Sequence, residues 1–259
     1  MDTVDKKQVK DYLDNLNERY NRPDFVKDDP ISVPHRYQRA EDIEIAGFLA
    51  STIAWGQRKT IVRNARRIAE MMDDAPLQFV TQVTENDMQE LDSFVHRTFN
   101  GFDLRFFVSA LRDIYLNHGG LGGYFRSEYQ KHRDLRPVIS GFRNLFFAAP
   151  CLPRTTRHLS SIDKGSACKR LNMFLKWMVR DDDRGVDFGI WKDIPPSALY
   201  LPLDVHAGNT SRTLGLLTRR QNDWKAVEEV TASLREFDPK DPVKYDFALF
   251  CAGIDRLLK

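Results

Sequence analysis

The chain has 259 residues, 42% of them hydrophobic and 29% charged, with a formal net charge of +2. That length and balance suit one large domain or two intimate lobes with a core of useful size, and exclude a disordered chain or one that needs covalent staples. Its three cysteines, Cys151, Cys168 and Cys251, are scattered. They exclude a disulfide framework and a four-cysteine zinc or iron–sulfur site, and fit a reduced cytoplasmic protein. The polar start MDTVDKKQVKDYLDN is no signal peptide, and no apolar run reaches the roughly 20 residues of a membrane span.

Taken in order, the segments read as helix after helix. Val9, Tyr12, Leu13 and Leu16 lie at helical spacing over residues 5–20. Pro23, Pro30 and Pro34 predict loop over 21–37. An apolar helix follows over 41–54, Gly56 ends it, and a second begins at Arg58 and runs to Met72. Short helices are expected over 76–98, a turn at Asn100-Gly101, and a helix over 103–117. Gly119, Gly120, Gly122 and Gly123 predict a turn; they lack the strand and the Lys-Ser/Thr end of a phosphate loop.

Further helices are predicted over 135–148, 166–179, 204–216, 224–237 and 242–258. Trp191 and the acidic run Asp181–Asp183 read as surface loop, and no run of alternating strands appears. The fold class is therefore all-α. The expected division is an N-terminal lobe over about 1–150 and a second lobe over about 151–259, with the N-terminal helix free to pack on the second.

Charge is uneven along the chain. Arg154, Arg157, Lys164, Lys169, Arg170, Lys176 and Arg180 fall between Cys151 and Asp181, opposed by Asp163 alone. Such a stretch suits either a phosphate backbone or an ordinary solvated helix face. The six histidines show no metal-ligand spacing, so neither metal nor other cofactor is expected.

The strongest chemical signal is Leu201-Pro202-Leu203-Asp204-Val205-His206. A carboxylate at a helix start accepts backbone N–H groups and sits in the positive end of the helix dipole. It can stabilise a developing cationic sugar or orient a water nucleophile, or serve only as an N-cap. This run resembles the Pro-x-Asp-x-His segment of the helix-hairpin-helix DNA glycosylases, the superfamily of endonuclease III and 8-oxoguanine DNA glycosylase, with the archaeal type nearest. The resemblance implies a two-lobed helical fold and makes Asp204 the essential carboxylate. Asn209 stands where endonuclease III has arginine.

Three further segments resemble the same superfamily. LSSIDKGSACKRLNMFL, residues 159–175, matches its hairpin and following helix, which would hold a DNA phosphate at Ser161, Gly165 and Ser166. Ser160 replaces the family's proline, and Ser161 and Asp163 its glycines. The catalytic lysine of bifunctional members aligns with Gly165; Lys164 precedes it by one residue and Lys169 follows by one turn, so either one, or neither, is the nucleophile. On the last helix Asp246 and Phe250 share a face, which the resemblance assigns to accepting from a guanine edge and stacking on it. In residues 41–68, Trp55 and Gln57 occupy the turn that carries the family's base-contacting wedge, with Arg58 and Lys59 placed for phosphates.

The whole chain also resembles a bacterial family of unknown function, through GSACKRLNMFLKWMVR followed by PLDVH. These likenesses imply a cytoplasmic, nucleoid-associated DNA glycosylase. Its partner would be double-stranded DNA bearing a flipped, damaged purine such as 8-oxoguanine, with no membrane and no obligate protein partner. The alternatives are a non-catalytic nucleic-acid-binding protein and a structural helical protein on the same scaffold.

Overall fold

A computed structural model describes residues 5–254, without the side chains of Phe25 and Ile254. It is all-α apart from one short hairpin. In chain order the helices are α1 (Lys6–Tyr20), α2 (Pro23–Val26), α3 (Ala40–Thr52), α4 (Arg58–Met71), α5 (Pro76–Gln82), α6 (Glu85–Glu90), α7 (Gly101–Asn117), α8 (Gly120–His132), α9 (Leu135–Phe146), α10 (Lys169–Val179), α11 (Val205–Thr213), α12 (Trp224–Phe237) and α13 (Asp246–Ile254). Positions 255–258 of the helix predicted over 242–258 lie outside the described residues. The described residues fall into two units, one over 26–160 and one over 161–254 together with 5–25.

In the unit over 26–160, α3 is buried continuously from Ile43 to Thr52, as expected of a helix that is apolar on all sides. Phe48 of α3 meets Phe107 of α7 and Phe142 and Phe146 of α9, with ring centroids 5.4–6.1 Å apart. Phe125 of α8 closes on Phe142 at 4.7 Å. These rings form the centre of that core.

Two expectations fail here. The glycine cluster is not only a turn, because Gly120 opens the thirteen-residue helix α8. Glycines are poor helix formers, which hid it. Gly119 and Gly120 take φ of +75° and +79° to turn the chain. Leu121, Phe125 and Tyr129, four residues apart, then bury one stripe. The other correction is a hairpin of two-residue strands, β1 (Val95–His96) and β2 (Phe99–Asn100), where short helices to residue 98 and a turn at Asn100-Gly101 were expected. Its turn places Arg97 at a φ of +56°.

In the other unit, α13 packs on both α11 and α1. A Cβ at Gly253 would lie 3.0 Å from the His206 carbonyl and 2.8 Å from Thr210 Oγ1, so glycine permits the close approach of α11 to α13. Helix α1 buries Val9, Leu13 and Leu16. Its polar side reaches outward through Lys6 to Glu236 (2.5 Å), Asp14 to Lys244 (3.3 Å) and Glu18 to Arg184 (2.5 Å). Leu13 is fully buried, so Leu13→Ala should cost about 2–5 kcal/mol in urea unfolding. Lys6→Ala, which removes an exposed pair, should stay within about 0.5 kcal/mol.

The predicted start of α10 at Ser166 is three residues early. Ser166 instead pairs in an isolated antiparallel bridge with Asp223, and Cys168 takes a left-handed conformation just before the helix. Trp191 is 1% exposed, packed edge-on against Phe174 at 5.5 Å, so it is core and not surface loop. Asp182 of the acidic run is also largely buried, holding Arg180 and Asn21.

Candidate active site

Asp204 ends a buried run outside any helix, Leu201-Pro202-Leu203, whose Leu201 N–H donates to Thr231 Oγ1 at 3.1 Å. With φ of −109° and ψ of −172° it is the N-cap of α11, and its Oδ1 accepts the Ala207 N–H at 2.8 Å. Its carbonyl accepts from Gly208 N–H at 2.9 Å and Asn222 Nδ2 at 3.0 Å. The carboxylate is half-buried, beside the exposed Val205 and His206. It therefore stands at the positive end of the α11 dipole, fixed by cap geometry and open to solvent on one side.

Asp246 starts α13 and is 15% exposed. Burial pushes its carboxyl above the usual range. Lys176, then Lys169, pull it back, and Asp204 pushes it up again. The charges of Lys176, Lys169 and Asp204 thus all bear on the Asp246 carboxyl. Phe250, one turn along α13, meets the His206 ring edge-on at 6.0 Å, so the aromatic stands at the start of α11. Lys169 is half-buried at the first position of α10, its Nζ 3.3 Å from Met173 Sδ.

Lys176 was missed as a site residue. Together with Arg180 it overturns the reading of the basic stretch as a continuous phosphate track or solvated face. Lys176 is fully buried, with Nζ 3.3 Å from Asp246 Oδ2, 3.5 Å from Asp187 Oδ2 and 3.8 Å from the Phe247 ring centre. It pairs with both acids but lacks hydrogen-bond geometry to either. Arg180 is 2% exposed and donates to Asp241 Oδ2 (2.7 Å), Asp182 Oδ2 (2.7 Å) and Asp187 Oδ2 (3.1 Å). Burial alone would pull its guanidinium down, but Asp187, Asp241 and Asp182 hold it above its usual value. Burial lowers Arg170 to about 10. Lys176 and Arg180, closed in the core and matched by acids, therefore cannot face a phosphate backbone.

The predicted phosphate hairpin is a tight turn. Gly165 N–H donates to the Ile162 carbonyl at 2.7 Å and Ser166 N–H to the Ser161 carbonyl at 3.0 Å, with Gly165 at a φ of +80°. Ser161 is buried, Ser166 half-buried, and Asp163, Lys164 and Gly165 are exposed. The element before the turn is a 3₁₀ turn over Thr155–His158. Lys164 is exposed on this turn, whereas Lys169 is half-buried and its charge favours the ionised form of Asp246.

The remaining sequence candidates lie in the unit over 26–160. Trp55 is half-buried, stacked on His158 at 5.8 Å and edge-on to His96 at 5.0 Å. Its carbonyl pairs with His96 Nε2 at 3.1 Å, and His96 Nδ1 pairs with Asn64 at 2.9 Å. This packing anchors the turn between α3 and α4. Gln57 caps α4 and is exposed, as is Lys59. Arg58 pairs loosely with Asp29 at 3.9 Å.

A family model matches residues 29–255, from the first 3₁₀ turns through α13. The chain belongs to the family described as protein of unknown function (DUF2400). The matched segment holds every candidate site residue and leaves α1 outside. No curated protein and no solved structure matches the chain. Among the described residues no helix is long and apolar enough to cross a membrane, and no three His, Cys, Asp or Glu side chains are grouped to hold a metal ion.

Proposed function

We propose that the chain is a DNA base-excision glycosylase with the helix-hairpin-helix glycosylase fold, acting on a flipped, damaged purine, 8-oxoguanine foremost. One observation carries this reading: the helix-capping carboxylate of Asp204 opens α11, which packs on the helix that carries Asp246 and Phe250, with Phe250 against His206 at the start of α11. Asp204 stabilises the oxocarbenium-like sugar as the C1′–N9 bond breaks and the bonding electrons leave with the base. The Lys169 nitrogen attacks C1′, and the proton it sheds as the covalent sugar adduct forms goes to the departing base. Asp246 accepts from the base edge and Phe250 stacks on its face. Lys164, exposed on its turn, is the weaker candidate for the amine.

Duplex oligonucleotides carrying 8-oxoguanine, uracil, hypoxanthine or alkylated purines test the reading, with borohydride added to trap a Schiff base. The expected result is release of a purine and a trapped adduct that Lys169→Ala loses and Lys164→Ala keeps. Release without trapping would replace the amine with a water activated by Asp204. Salt-sensitive duplex binding without release of any base would favour a non-catalytic nucleic-acid binder.

A further inference from the structure

We propose that Lys176 is a positioning residue that holds Asp246 as a carboxylate and thereby selects purines with a guanine-type edge. The inference rests on the proposed role of Asp246 at the base. A carboxylate accepts two N–H groups, which matches the paired N1–H and N2–H donors of guanine and 8-oxoguanine. A protonated carboxyl donates one hydrogen and accepts another, which matches the N1 acceptor and N6–H donor of adenine. The charge on Asp246 therefore decides which purine edge fits.

The geometry gives that decision to Lys176. Its ammonium is fully buried, 3.3 Å from Asp246 Oδ2, and has no hydrogen bond of its own that would explain its presence in the core. A lone cation in such a place costs free energy unless an acid offsets it. Asp187, the other acid beside Lys176, is itself bonded to Arg180, which leaves Asp246 as the acid reaching toward solvent.

The other charges around Asp246 oppose one another. Lys169 on α10 favours its ionised form, and Asp204 at the start of α11 disfavours it. From α11, His206 stands at Phe250. Helix α1, which also packs on α13, brings Lys10 and Asp14, which pair with each other and, through Asp14, with Lys244. Without Lys176, burial and Asp204 together favour the neutral acid.

Two measurements on the full chain test this. The first is the titration of the Asp246 carboxyl by carbon-13 NMR, assigned with Asp246→Asn, in the wild type and in Lys176→Met. The expected result is a midpoint raised by about one pH unit or more in the variant, a tenfold change in proton affinity. Where Lys176→Met does not fold, the charge-compensated pair Lys176→Met with Asp187→Asn replaces it, with the same upward shift expected. An unchanged midpoint overturns the inference.

The second is binding of uncleavable 2′-fluorinated oligonucleotides carrying 8-oxoguanine or 8-oxoadenine. The wild type should favour 8-oxoguanine, and the variant should lose about tenfold or more of that preference. Preference retained in the variant overturns the role of Lys176 and leaves the glycosylase reading standing. A shifted midpoint with neither base preferred by the wild type overturns the base-recognition reading, and the inference with it.

Discussion

Asp204→Asn should lower base release by about 10²–10⁴-fold while leaving the fold and duplex affinity nearly intact. Asparagine keeps the oxygen that accepts the Ala207 N–H, and it caps helices about as well as aspartate, so α11 should begin as before. What is lost is the negative charge that would face the developing cation on the sugar. Single-turnover release, read beside urea unfolding and duplex binding, separates the two roles. Asp204→Ala supplies the contrast, because it removes cap and charge together and should cost about 1 kcal/mol of stability. If Asp204→Asn releases base at the wild-type rate, the residue is a cap and nothing more.

The parts of this molecule written as amphipathic periodicity were legible in the sequence. Helices α1, α4 and α12 each bury one stripe at the expected spacing, and α12 keeps its predicted bounds. The cap at Asp204 was legible too, because capping is a local matter of an acid, a preceding proline-containing run and the helix that follows. Long-range pairing was not. Lys176 and Arg180 look like members of a basic stretch until Asp187, Asp241 and Asp246 fold back on them. A signal was nonetheless present in the run Leu171–Val179, whose residues other than Lys176 and Asn172 are all apolar. A helix apolar all round is a buried helix, and a lysine inside one needs an acid from elsewhere in the chain. Trp191 misled for the same reason. Its polar neighbours mark a loop, but a loop can carry one large ring into the core, as the 5.5 Å contact with Phe174 shows.

Arg180→Ala should be strongly destabilising, at about 3–5 kcal/mol. The guanidinium bonds three carboxylates from a nearly closed position, and its loss leaves the buried Asp187 and the half-buried Asp241 without it. The pH dependence identifies the cause. In the wild type, burial raises the Asp182 carboxyl, but Arg180 and the bonds from Asn21 and Arg184 lower it more, so its contribution is present above the unfolded pKa and is lost as pH falls through the lower folded value. Burial already holds Asp241 above its usual range even with Arg180 present. In Arg180→Ala these acids rise further. A carboxyl with a raised folded pKa destabilises the fold at high pH, and relief comes as pH falls through that value. The stability gap between variant and wild type should therefore narrow as pH falls below 7 in urea unfolding. A gap that stays constant would mean that Arg180 acts through packing of its stem, not through charge. The same substitution bears on the candidate site, because Arg180 leads into the connection that ends at Asp204 and its partner Asp187 also pairs with Lys176. Loosening this network should weaken the placement of Asp204 and Asp246 together.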